Sequence, residues 1–151
     1  MNWTKITQQD LENALNKNQV ELLKAEELKS AGSPISEEII SMIVAEIRAK
    51  IASYPANFLD YDHAKIPKEL KLCALRLAIE ALQSRLPSME MTAQQKKMAD
   101  ISRTALEEIY TGKICVSHPD KAIKTASEKK GAYYSKTNKS AYLDIPRKRR
   151  N

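Results

Sequence analysis

The chain has 151 residues, of which 42% are hydrophobic and 5% aromatic, and its formal net charge at pH 7 is +6. This length fits one domain with an extension, and a core of Leu, Ile and Ala favours helix-on-helix packing. Two isolated cysteines, Cys73 and Cys115, make neither a disulfide framework nor a zinc site. With a polar N-terminus and no apolar stretch long enough to span a bilayer, we expect an intracellular protein without a signal peptide.

Charge is distributed unevenly about Gly112. Residues 1–112 carry 14 Lys/Arg and 16 Asp/Glu, a net of −2, whereas residues 113–151 carry 11 Lys/Arg and 3 Asp/Glu, a net of +8. The pattern predicts a nearly neutral helical body over 1–112 and an extended basic C-terminal arm over 113–151. Alone in solution, such an arm is expected to be disordered. This plan is typical of a protein that docks onto a partner, not of a self-contained enzyme.

Three helical segments are predicted in the first third of the chain. Thr7 is a candidate N-cap, with Asp10 three residues later as in a capping box. A break at 16–18 precedes a second segment over 19–30, which ends at glycine and proline. Ser36 is the predicted N-cap of a third helix whose apolar face continues to Ile51.

A polar loop over 55–66 is predicted next, followed by Pro67 at the first turn of a helix over 68–86. This helix is apolar on more than half of its circumference, so it is either the central helix of a bundle or shares a face with another chain. Its candidate core or subunit-interface residues are Leu72, Leu75, Ile79 and Leu82.

The last predicted helix begins after Thr92, with Gln95 three residues later, and ends at Gly112 in a left-handed conformation. Beyond it, residues 114–116 could form a short strand. The fold class is therefore an all-α bundle of four to five helices with a long basic arm.

No catalytic constellation is visible in the sequence. Asp60, Asp62 and His63 lie close together, but one His with two Asp lacks the second fixed anchor of a metal site, and we interpret them as a solvated loop. His118 has no second residue at a spacing that would indicate a metal site or a catalytic pair. We expect no catalytic residue, no cofactor and no metal.

The basic arm has three interpretations: a solubilising extension, a nucleic-acid arm, or a docking arm that folds on a protein partner. Clustered Lys/Arg on a flexible segment suffices for electrostatic DNA binding, whereas Leu143 and Ile145 suit strand addition to a partner's sheet. The candidate partner or DNA contacts are Lys129, Lys130, Tyr133, Tyr134, Lys136, Lys139, Tyr142, Arg147, Lys148, Arg149 and Arg150.

Several segments together carry a family resemblance. They are an early Asp10-Leu11-Glu12 after a cap, a long helix ending in Ala52-Ser53-Tyr54, a Pro-bearing entry over 66–71 to the central helix, and a last helix closing on 107–113. This order resembles the small helical head–tail connector (adaptor) proteins of tailed phages and prophages. In particular, it resembles the short proteins related to the thirty-sixth gene product of Mu-like phages, over about residues 3–116.

The resemblance implies a structural protein of the virion neck that is present in the host cytoplasm during assembly. Such connectors form a ring, usually of twelve copies, beneath the portal protein, contact a downstream tail or stopper protein, and pass DNA through the lumen, with no membrane partner. A cyclic ring uses two different patches on each chain. The alternative is a small helical nucleic-acid-binding protein that uses its basic tail.

Overall fold

The computed structural model describes residues 1–30 and 32–123. Their elements, in chain order, are β1 (Trp3–Lys5), α1 (Gln8–Ala14), α2 (Lys17–Lys29), α3 (Ile35–Ala52), β2 (Leu59–Asp60), β3 (Lys65–Pro67), a 3-10 helix (Lys68–Leu70), α4 (Lys71–Arg85), α5 (Ala93–Tyr110) and β4 (Ala122–Ile123). Five helices with little strand confirm the predicted all-α class. None of the helices in this part of the chain is long and apolar enough to cross a membrane.

Three helices begin with a reciprocal capping box. In α1, Thr7 and Asp10 exchange side-chain and backbone hydrogen bonds, and Thr92 and Gln95 do the same in α5, as predicted. The third box starts α2, where Asn16 caps and Gln19 is the return partner. The predicted break at 16–18 is thus a cap, and α2 begins at Lys17. Each box satisfies backbone N–H groups that have no partner inside their own helix.

The predicted N-cap at Ser36 is wrong. The cap position of α3 is Pro34, which makes no side-chain hydrogen bond, and Ser36 is fully buried in the first turn. Its N–H and hydroxyl both donate to Glu27 Oε1 of α2, at 3.1 and 2.6 Å. A carboxylate from another helix therefore satisfies the start of α3. It also places a negative charge at the positive end of the helix dipole.

The core lies around α4, which packs between α3 and α5. Leu75, Ile79 and Leu82 are buried in it, so three of the four candidate core or interface residues are core within one chain. Leu72 differs, with 56% of its surface exposed. The predicted single helix over 68–86 is a 3-10 turn followed by α4, because Pro67 ends β3 rather than opening an α-helix.

Arg48 organises the segment that was predicted as a polar loop. Its buried guanidinium donates from Nη1 to the carbonyls of Lys65 (2.7 Å) and Asp62 (3.1 Å), and from Nη2 to the carbonyl of Asp60 (2.8 Å). It also lies 5.8 Å from the centre of the Trp3 ring. These contacts hold β2 and β3 against α3. The segment is therefore not a simple solvated loop, and Asp60 is buried rather than exposed.

The two short antiparallel sheets use strands from opposite ends of the described chain. β1 pairs with β3 in the register Thr4↔Ile66, and β2 pairs with β4 in the register Asp60↔Ala122. The segment around Arg48 thus receives one strand from the N-terminus and one from beyond α5.

The end of α5 is a Schellman motif. Gly112 has φ +75°, its N–H donates to the carbonyl of Ile109, and the N–H of Lys113 donates to that of Glu108. This confirms the predicted left-handed stop. The Tyr54 ring occupies the space where a side chain at Gly112 would begin.

Replacement of Arg48 by Met should lower the free energy of unfolding by about 3 kcal/mol, because three carbonyls lose their charged donor. Urea unfolding followed by circular dichroism measures the change. Lys50→Met, two residues along the same helix, is the control and should have a much smaller effect, since its partner Glu107 is exposed. Equal losses in the two variants would contradict the role given to Arg48.

Gly112→Ala should destabilise the protein by about 1 kcal/mol or more, since the new side chain meets both an unfavourable backbone conformation and the Tyr54 ring. Gly32→Ala is the matched control, because an added Cβ there has nothing within 4 Å. Thermal unfolding compares the two variants. A Gly112→Ala protein as stable as the Gly32→Ala protein would argue against the close approach of Tyr54.

Candidate functional site

The root of the basic arm lies against the helical body. Residues 115–123, called the strap below, leave the end of α5 and run past the segment that Arg48 organises, where β4 pairs with β2. The predicted division of the chain at Gly112 follows the change in charge. In the structure, packing onto the body continues to β4.

Ser117 is the residue of the strap whose backbone N–H and carbonyl are both bound by side chains of the body. The indole Nε1 of Trp3 donates to its carbonyl at 2.8 Å, and its own N–H donates to Glu69 Oε1 at 2.8 Å. Trp3 is buried and is positioned by β1, opposite Pro67 in β3. Both backbone groups of Ser117 are therefore bound by side chains from distant parts of the chain.

The surroundings of the Glu69 carboxylate favour its charged form, which accepts the hydrogen bond from Ser117. Partial burial raises its pKa, but hydrogen bonds from Ser117 and from the Glu69 backbone N–H more than offset that, so the pKa lies below its ordinary value. Because folding lowers this pKa, the carboxylate stabilises the anchored strap at neutral pH. That contribution is lost as the pH falls through the pKa of the folded state.

Contacts on both sides of Ser117 extend the anchor. The N–H of Val116 donates to Asn57 Oδ1 at 3.4 Å, and the ring centres of Phe58 and His118 lie 4.8 Å apart. Further along, the N–H of Tyr61 donates to the carbonyl of Lys121 at 2.8 Å. The strap is thus fixed along its length, and the chain leaves the body at a defined place beside β2.

The predicted strand over 114–116 is wrong. The N–H of Ile114 donates to the carbonyl of Glu108 at the end of α5, and that of Val116 donates to a side chain, so neither takes part in a sheet. Pairing occurs instead at Ala122–Ile123. The sequence reasoning also missed Trp3, Asn57 and Glu69, whose roles depend on contacts with a segment 48 or more residues away.

A second surface feature is an apolar cleft of about 230 Å³ between α1, α4 and α5. Leu72, Leu75, Ile79 and Met98 form most of its lining, together with Ala14. The polar residues around it are Arg76, Gln94 and Gln95. The exposed Leu72 is therefore the accessible edge of a cleft, and not an isolated apolar side chain.

The loop residues considered as metal ligands in the sequence take part in local contacts. In the described residues, no group of three His, Cys, Asp or Glu side chains is placed to hold a metal ion. Of the three sequence candidates, Asp60 Oδ1 accepts from the N–H of Asp62, and the Asp62 carboxylate pairs with Lys5 at 3.1 Å. His63 lines an open groove of about 680 Å³ with Glu37 and Lys5. These carboxylates serve the local fold.

Glu69→Ala should loosen the strap, because the N–H of Ser117 loses its carboxylate acceptor. We expect tryptic cleavage after Lys113 at neutral pH to become roughly threefold faster, a modest effect because the contact faces solvent. Mass spectrometry of timed digests measures that cleavage separately from cleavage of the arm. Glu21→Ala on the exposed side of α2 is the control, and equal rates in the two variants would count against the Ser117 anchor.

The eleven residues predicted to contact a partner or DNA, between Lys129 and Arg150, lie outside the described residues, as does the predicted disorder of the arm beyond Ile123. No family model matches the chain, and no curated protein or solved structure shows significant similarity to it. The interpretation of its function therefore depends on the site geometry and on the sequence features described above.

Proposed function

We propose that the protein is a structural head-to-tail connector of a tailed phage or prophage. In this proposal it assembles as a ring beneath the portal, joins the capsid to the tail, and passes DNA through its lumen. Its role is mechanical, with no catalysed reaction and no cofactor. The completed ring belongs to the virion neck, and free chains occupy the host cytoplasm during assembly.

The observation that carries the proposal is the anchored origin of a strongly basic arm. Ser117 is held by Trp3 and Glu69, and Lys121 by Tyr61, so the arm starts from a fixed point on the body. A solubilising extension would need no such anchor. An arm that has to reach a particular neighbour does, because a fixed origin limits the volume its binding residues can search.

The division of charge supports the same proposal. A nearly neutral body of net charge −2 and an arm of net charge +8 give each chain two parts of different electrostatic character. A ring needs two different patches that meet between adjacent copies. The arm can contact acidic surfaces on the portal or on a downstream tail component, or line the path of DNA.

The specific assembly in this proposal, a ring beneath the portal, comes from the resemblance to phage connectors described above. It includes the Pro-bearing entry to the central helix and the Gly112-Lys113 end of the last helix. In the structure these are Pro67 at the start of the 3-10 turn and Gly112 in the Schellman motif.

The test is the composition of phage particles from the source of this chain. Purified virions are digested, and mass spectrometry measures the copy number of the chain relative to the portal protein. A ratio near one to one is expected, because connector and portal rings of matched symmetry contain similar numbers of chains. Absence from the particles would overturn the proposal.

The charge of the arm favours one alternative, a small helical nucleic-acid-binding protein. For this function, binding to duplex DNA should weaken steeply with salt and be lost when residues 124–151 are deleted. If the chain is absent from particles and binds DNA in this way, the alternative takes precedence. If the chain is instead a stoichiometric component of the virion and binds DNA weakly, the targets of the arm are protein surfaces.

A further inference from the structure

We propose that the apolar cleft between α1, α4 and α5 is the docking site for residues 141–145 of the same chain, near the end of the basic arm. This inference does not depend on the connector assignment, because it concerns the free chain. It gives the cleft one occupant and gives the arm a second attachment point beyond the strap.

Part of the apolar surface that lines the cleft is exposed to solvent. Leu75 and Ile79 are 8% and 5% exposed, whereas Leu72, one helical turn from Leu75, is 56% exposed. Met98 of α5 also lines the cleft. Burial of such apolar surface is worth about 25 cal/mol per Å² removed from water, so an apolar segment that covers Leu72 gains free energy.

Arg76 adds a charge preference. It is half-buried at the edge of the cleft, and no carboxylate of the described residues forms an ion pair with it. Arg85 and Arg103, the other arginines on α4 and α5, each have an acidic partner. The cleft is therefore suited to an apolar segment that carries one carboxylate.

The arm contains one segment of this kind. Leu143 and Ile145 are the only Leu, Ile, Val or Met residues beyond Ile123, and Asp144 between them is the only acidic residue after Glu128. In an extended conformation, residues 143 and 145 point to the same side. Both aliphatic side chains can then enter the cleft, while Asp144 points to the solvent side, where its negative charge attracts the positive charge of Arg76 at the edge of the cleft.

Chain length allows this docking within one molecule. Seventeen residues, 124–140, separate β4 from the segment, and a flexible linker of that length spans about 23 Å on average and about 60 Å when fully extended. A body of this size has a radius of gyration of about 14 Å. The effective concentration of a linked segment is in the millimolar range, so it exceeds that of other copies at micromolar protein.

The first experiment uses the full chain labelled with ¹³C at the methionine methyl groups. Met98 lines the cleft, and Met42, which is 53% exposed on α3, is the internal reference. We expect L143D/I145D to shift the Met98 signal and leave the Met42 signal in place. The effect of added charge alone is controlled by A126D/A132D, which adds the same two charges elsewhere in the arm and should leave the Met98 signal unchanged.

Two outcomes would overturn the proposal. One is a Met98 signal that is the same in the wild type and in L143D/I145D. The other is a wild-type Met98 signal that moves on dilution from 200 to about 5 μM, a range well below the effective concentration of a linked segment, because that would identify a second copy as the occupant.

The reciprocal experiment changes the cleft. Leu72→Asp introduces a charge at an exposed position, and Ile101→Asp, on α5 at 48% exposure and outside the cleft lining, is its matched control. Hydrogen exchange at residues 141–145 should be about tenfold slower in the wild type than in the matching free peptide, as expected for millimolar effective concentration and a Kd of about 0.1 mM. Leu72→Asp should remove this protection and Ile101→Asp should keep it.

An unchanged Met42 signal and circular dichroism spectrum establish that each variant is folded. Exchange at residues 141–145 as fast as in the free peptide in every protein would overturn intramolecular docking. Protection that is lost equally in Leu72→Asp and Ile101→Asp would overturn the assignment of the cleft as the site.

Discussion

The hydrogen bonds of Arg48 are the interaction on which the rest of this structure depends. A buried guanidinium needs acceptors for its N–H groups, and here the carbonyls of residues 60, 62 and 65 supply them. Burial lowers the pKa of Arg48, while Asp60 and Asp62 counteract this, and an arginine keeps its charge throughout the physiological range. The segment between α3 and α4 thereby acquires a defined shape, although its strands β2 and β3 pair with β4 and β1 and not with each other.

That defined shape creates the place where the arm is anchored. β2 and β3 are positioned by Arg48, β1 adds Trp3 beside them, and the 3-10 turn after β3 presents Glu69. The strap then binds to β1, to β2 and to the 3-10 turn. In this way one buried cation on α3 connects the N-terminus, the middle of the chain and the origin of the basic arm.

Much of the helical body could be predicted from the sequence, because its signals are local. The capping boxes at Thr7 and Thr92 and the left-handed Gly112 involve residues no more than a few positions apart, and all three predictions are confirmed. Ser36 shows the limit of such signals. It has the right residue type before an apolar run, yet Glu27 of another helix makes the decisive hydrogen bonds.

The sequence by itself determined the all-α class, the order and approximate bounds of the helices, and the change of charge at Gly112, because periodicity, caps and composition are properties of neighbouring residues. Only the tertiary structure decided that Leu72 is exposed at the edge of a cleft while Leu75 is buried, and that Trp3 and Glu69 hold Ser117. These features depend on which distant segments of the chain come into contact. The spacing of residues along the sequence does not indicate such contacts.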